Sequence, residues 1–200
     1  EDPWYRDRQA AGEWEQVIPP AAGDVRIGVA GAGELGSAAA KALFDLGYDV
    51  AVWSRSRRSS EGAQSFIGRG ALPDFLGRTK ILINLLPLTE ETRAIWCAET
   101  FNMLEDGAYV INAGRGASLV EADLLACLES GRIAGAALDV FEQEPLPQGH
   151  AFWTHPRVFI TPHAASLSNP VSIADHVMRN IARIERGAVP IGLVDRERGY

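Results

Sequence analysis

Cysteine is scarce: Cys97 and Cys127 are the only two in 200 residues. Two thiols can form at most one bridge, which excludes a disulfide framework and a cysteine-rich zinc cluster. Both sit among apolar neighbours and read as buried thiols, and a reducing cytoplasm is the compartment this implies. Histidine is limited to four copies, none at metal-ligand spacing from Cys, Asp or Glu, so no metal is expected. Lysine is limited to Lys41 and Lys80, so the basic residues are almost all arginine, which reads as compositional bias rather than function. No apolar run approaches the ~20 residues that cross a bilayer. The opening "EDPWYRDRQAAGEWEQ" is charged where a signal peptide would be apolar. The formal net charge of −7 argues against nucleic acid or an anionic membrane as the partner. No repeat of fixed period and no low-complexity tract is visible.

What is present is alternation. Asp2-Pro3 reads as a helix cap followed by proline at the first helical position, with Gly12 as the stop, and "VIPPAAGD" as a linker. "VRIGVAG" is a β-branched run ending in a glycine turn, "LGSAAAKALFDLG" a helix stopped at Gly47, and "YDVAVW" the next strand. Weaker copies of this unit follow. Strands are expected at 80–85, 108–112, 135–141 and 158–161, and helices at 73–76, 99–104, 122–130 and 172–186. Strands alternating with helices imply an α/β fold with a parallel sheet covered on both faces. The last helix carries Ile173, Val177, Ile181 and Ile184 at helical spacing, and no strand follows it.

The string Gly31-Ala32-Gly33-Glu34-Leu35-Gly36 follows a strand and opens a helix, the context that gives a glycine motif meaning. Gly31 permits the tight turn, Gly33 lets backbone approach a pyrophosphate, and Gly36 lets the helix pack on the strand. Free N–H groups at the helix start would hold the phosphates. The fold class is therefore a Rossmann-type doubly wound parallel sheet. At the tip of the second strand an NAD site usually carries an acid for the ribose hydroxyls. Here the tip runs Ser54-Arg55-Ser56-Arg57-Arg58. Guanidinium groups match a phosphate in charge and fork geometry. The expectation is NADP(H), with NAD(H) possible; the alternative is a solvated basic turn.

Three further strand ends present residues suited to chemistry. Arg115 follows the strand "AYVINA" between two glycines, which would let a substrate come near the backbone while the guanidinium binds its carboxylate. Asp139 and Glu144 close the next strand, and His163 follows Pro162 at the end of the last one. All three ends should face one cleft, since ligands bind at the carboxyl ends of such strands. A Glu bonded to a His stabilises the imidazolium. Each residue also has a bland alternative: a surface ion pair, a helix cap, a structural histidine. His150, His155 and His176 lack this context and read as structural. Ser37, Ser118 and Cys127 have no base nearby in any motif, so nucleophilic catalysis has no support.

The strings "GVAGAGELG", "LINLLPLTEETR", "VINAGRGASLVEADLLACLESGRIAGAALDVFEQEPLP" and "VFITPHAA" together resemble the D-isomer-specific 2-hydroxyacid dehydrogenases, from about Val25 onward. "VWSRSR", "QSFIGR" and "ILINLLP" resemble the branch that reduces glyoxylate and hydroxypyruvate. The resemblance implies that Arg115 binds the substrate carboxylate, His163 donates the proton and Glu144 holds His163 protonated. It puts Asp139 near the nicotinamide amide and has Leu86 and Pro87 line the cofactor pocket. Ala113, Gly114 and Arg115 would flank the nicotinamide, and Ser54, Arg55, Ser56 and Arg57 would form the 2′-phosphate turn. It divides the chain into a hinge and dimerisation helix with its linker (1–20), a cofactor domain (21–168), and a C-terminal helix and tail returning to a substrate domain (169–200). Trp4, Tyr5 and Trp14 resemble an arm that embraces a partner copy, so a homodimer through the cofactor domain is implied. The family's substrate domain begins upstream of the glycine loop and is not in this sequence. The chain is therefore expected to be a fragment that keeps cofactor binding and needs that domain for turnover. Another 2-keto acid as substrate, or a nucleotide-binding module without turnover, remain as alternatives.

Overall fold

The computed structural model describes residues 3–55 and 62–194; for residues 3 and 4 it describes the backbone only. The chain divides into a larger unit, Glu1–Pro162, and a smaller one, His163–Tyr200. The larger unit is built on seven parallel strands. They are β1 (Arg26–Ala30), β2 (Asp49–Ser54), β3 (Gln64–Ile67), β4 (Ile81–Asn84), β5 (Ala108–Asn112), β6 (Ile133–Leu138) and β7 (Val158–Ile160). Their order across the sheet is β3-β2-β1-β4-β5-β6-β7. The chain thus builds outward from β1 in one direction, then returns to β4 and builds outward in the other. The reversal between β1 and β4 is where such folds open a ligand crevice.

Sequence patterning explains the layers. β1 is buried from Ile27 to Ala30 and β2 from Val50 to Trp53, the continuous apolar runs of strands covered on both faces. On one face α2 (Glu34–Asp45) presents the small residues Gly36 and Ala40, and a core forms around Ile27, Val29, Val50 and Val52. On the other, α3 (Leu72–Gly77), α4 (Ala98–Met103) and α5 (Glu121–Glu129) enclose Phe75, Trp96, Phe101, Leu124 and Phe152. Fully burying one side chain of this size contributes roughly 1.5–3 kcal/mol. Cys127 lies in the same core, and burial pushes its thiol up from the ordinary value.

The expected strands and helices are present with ends displaced by up to three residues, the largest at β6, expected to run to 141 and ending at Leu138, and β3 is an addition. Its sequence Gln64-Ser65-Phe66-Ile67 is mostly exposed, so no buried apolar alternation marks it. It exists because its backbone pairs with β2, Trp53 beside Phe66, and because Trp53 Nε1 donates to the Gly68 carbonyl at 2.9 Å. α1 (Pro3–Ala11) ends at Gly12, which takes φ +69°; its expected cap, Asp2, lies outside the described residues. In the smaller unit α6 (Pro170–Glu185) starts at Asn169, whose side chain caps Val171 N–H. Its residues Ile173, Val177, Ile181 and Ile184 are exposed. Among the described residues no helix is long and apolar enough to cross a membrane.

Candidate functional site

All seven strands are parallel, so the loops after β1, β2, β4, β5 and β6 emerge on the same edge of the sheet. Gly31 leaves β1 at φ +114°, conformational space that side chains rarely adopt, and a Cβ there would stand 2.8 Å from the Leu85 carbonyl oxygen. The β1 and β4 ends are thereby drawn together at the reversal. A Cβ on Gly36 would fall 1.9 Å from the Gly31 carbonyl oxygen, so helix and turn are in direct contact. Gly33 differs: it caps α2 without a side-chain bond and faces open space. With the exposed Glu34 and Leu35 it leaves helix-start N–H groups available to an anion. The loop therefore fits a dinucleotide pyrophosphate.

Ser54 closes β2, half-buried, and its carbonyl accepts the Gly68 N–H at 2.9 Å. Arg55 is exposed and lies 3.8 Å from Glu91 on the loop after β4. Ser56, Arg57 and Arg58 lie outside the described residues. Across the reversal, Leu86 is buried and Pro87 half-buried. Ala113 N–H bonds the Asn84 carbonyl at 3.2 Å, tying the β5 loop to the end of β4.

A buried polar ladder fixes these loops. Asn84 and Asn112 end β4 and β5 in register. Asn84 Nδ2 donates to Asn112 Oδ1 and to Ser118 Oγ, both at 2.8 Å. The Oδ1 of Asn84 accepts Leu86 N–H at 3.2 Å, that of Asn112 accepts Gly114 N–H at 3.2 Å, and Ser118 Oγ donates to the Arg115 carbonyl at 2.6 Å. The three side chains are essentially inaccessible to solvent. Sequence reasoning missed all three as site residues, although an asparagine closing two successive apolar strands was a usable signal.

Arg115 is exposed, with Nη1 on its neighbour's carbonyl, Gly114 O, at 2.7 Å. Its glycines serve a purpose different from the expected one of admitting substrate. A Cβ on Gly116 would stand 1.8 Å from the Phe141 carbonyl oxygen, and one on Gly114 2.9 Å from Asn84 Nδ2. They seat the Arg115 turn against the β4 end on one side and the loop after β6 on the other. That second loop carries Glu144, whose Oε1 accepts Phe141 N–H at 2.9 Å. Asp139, buried at the end of β6, bonds Asn112 O through its own N–H and accepts the Thr161 hydroxyl.

The larger unit thus brings the Arg115 and Glu144 loops together. His163 opens the smaller unit, exposed, at φ +52°. A left-handed backbone at a non-glycine residue is uncommon and concentrates at functional positions. His150 lies outside this set: its Nδ1 caps Phe152 N–H at 3.2 Å.

Comparison with known proteins adds to this geometry. Residues 3–165 match the family described as D-isomer specific 2-hydroxyacid dehydrogenase, NAD binding domain. The chain is 45% identical over 98% of its length to glyoxylate/hydroxypyruvate reductase A of Salmonella paratyphi B, and spans 65% of that protein. Among solved structures it matches a D-isomer specific 2-hydroxyacid dehydrogenase of Xanthobacter autotrophicus in complex with NADPH and MES. That match has a TM-score of 0.96 at 45% identity and covers 99% of this chain and 82% of the other. It also matches an NADPH-dependent glyoxylate/hydroxypyruvate reductase of Sinorhizobium meliloti in complex with NADP and sulfate. There the TM-score is 0.95 at 43% identity, covering 99% of this chain and 64% of the other.

Proposed function

The chain belongs to the D-isomer-specific 2-hydroxyacid dehydrogenase family, and from that premise we propose that it serves an NADPH-dependent reductase of glyoxylate or hydroxypyruvate. The product is the corresponding 2-hydroxy acid. The observation that carries this reading is the glycine loop at the strand reversal, with the Arg115 and Glu144 loops clamped together on the same edge of the sheet. The NADPH and NADP complexes of the relatives support the choice of cofactor.

In this reading Gly31, Gly33 and Gly36 with the N–H groups of Glu34 and Leu35 hold the pyrophosphate. Ser54 and Arg55, with Ser56 and Arg57, take the 2′-phosphate, to which guanidinium groups are suited in charge and shape. Leu86, Pro87, Ala113, Gly114 and Asp139 shape the nicotinamide pocket. When bound, the reduced nicotinamide supplies a hydride to the keto carbon. Arg115 binds the substrate carboxylate and polarises the carbonyl. His163 gives its proton to the carbonyl oxygen, completing the hydroxyl, and Glu144 keeps the imidazole oriented and protonated. The reading includes a homodimer formed through the cofactor-binding unit, for which the exposed aromatics Tyr5 and Trp14 would provide an arm; the side chain of Trp4 lies outside the described residues.

The test is NADPH oxidation by the full gene product with glyoxylate, hydroxypyruvate and larger 2-keto acids. His163→Ala should lower kcat by roughly 10²–10⁴-fold while NADPH affinity holds. Equal KM values for NADPH and NADH would overturn the cofactor choice. NADPH binding without oxidation by any 2-keto acid would overturn the reaction in favour of a binding module.

A further inference from the structure

One carboxylate outside this constellation grips both ends of the loop that carries Glu144. Glu121 is the first residue of α5 and is mostly buried. Its Oε1 accepts the Glu142 N–H at 3.0 Å. Its Oε2 lies 3.2 Å from Nε2 of His150. Because Nδ1 of His150 already accepts the Phe152 N–H, the neutral ring carries its proton on Nε2, aimed at Glu121. The His150 ring lies 4.7 Å from that of Phe152, which is 1% exposed and itself touches Phe141. The imidazole is therefore a fixed post and not a swinging side chain.

An acid at a helix start is favoured by the helix dipole whatever else it does. The dipole does not account for two oxygens spent on two ends of one distant loop. Between those ends stands Glu144, and the N–H that orients it belongs to Phe141, next to the Glu142 N–H that Glu121 holds. We propose that Glu121, anchored by His150, is a positioning residue that sets the Glu144 carboxylate for proton transfer. This rests on the role assigned to Glu144 above. Glu121 touches neither substrate nor cofactor in this scheme; it acts through the backbone of residues 141 and 142.

The test is a double-variant cycle on the protein loaded with NADPH. Glu121→Ala should lower kcat about tenfold or more, since small misplacements of a catalytic group are costly, and leave KM for the keto acid and NADPH affinity unchanged. In a Glu144→Ala background the same substitution should cost nothing further, because residues acting through one another are not additive. His150→Gln, which can still offer an N–H to Glu121, should restore near-normal kcat. His150→Asn, which can cap Phe152 but falls short of Glu121, should behave like Glu121→Ala. Independently of turnover, the Phe141 amide should lose hydrogen-exchange protection in Glu121→Ala while β5 and β6 keep theirs. Additive losses in the double variant, or a lowered melting temperature with kcat and Phe141 exchange unmoved, overturn the proposal. If Glu144→Ala itself leaves kcat intact, the proposed function falls first and takes this inference with it.

Discussion

A methyl group on Gly116 would overlap the Phe141 carbonyl carbon at 1.9 Å, and its neighbours there are backbone atoms that cannot rotate away. Overpacking of this kind typically costs about 1–3 kcal/mol, and rigid neighbours put it at the upper end. Gly116→Ala should therefore lower the midpoint of chemical denaturation and separate the Arg115 loop from the Glu144 loop, whereas Gly33→Ala, facing open space, should leave stability nearly unchanged. A wild-type midpoint for Gly116→Ala would show that the two loops are not in close contact. From the sequence, "GRG" read as room for substrate. Spacing along one strand cannot reveal that residue 116 meets residue 141, a contact made only once β5 and β6 pair.

At the scale of elements, β4 and β5 end in a pair of asparagines whose side chains do what backbone cannot do once the ladder stops. Removing Asn84 strands the Leu86 N–H and takes one bond each from Asn112 Oδ1 and Ser118 Oγ, which keep the Gly114 N–H and the Arg115 carbonyl. Each buried polar group so stranded costs roughly 1–3 kcal/mol. Asn84→Ala should destabilise the unit by at least one such increment in urea titration and weaken NADPH binding measured by calorimetry. A loss no larger than that of an exposed substitution would mean the ladder is dispensable. The strands themselves were legible because β1, β2 and β5 are β-branched runs bounded by glycine or asparagine. β3 was not, because an exposed edge strand of four residues needs no hydrophobic pattern to pair with β2. Arg115, Glu144 and His163 could be singled out from the sequence because each follows an expected strand, at the edge where sheets of this kind bind ligands. Glu121 was not, since its significance depends on a loop twenty residues away.

On the scale of the whole molecule, cover over the sheet is unequal. Among the described residues of the larger unit, α3, α4 and α5 enclose one core, while α2 lies over the other around β1 and β2. Tyr109 on β5 and Phe159 on β7 stay exposed, as do Trp14 and Ile18 in the segment after α1. Large exposed apolar groups of this kind favour association. Sedimentation at micromolar concentration should give a dimer that Trp14→Glu with Ile18→Glu dissociates. A monomer for the unaltered protein would remove the homodimer from the proposed function.

The reversal of strand order between β1 and β4 has one more consequence. The turn after β2 lies on one side of it and the Arg115, Asp139 and Glu144 loops on the other. Under the proposed function, nucleotide selectivity and the Arg115 and Glu144 chemistry would therefore belong to separately mutable halves of the larger unit. Exchange of the arginine turn for an acidic one should then redirect coenzyme choice without retuning proton delivery, a modularity that would leave each half free to diverge at its own pace.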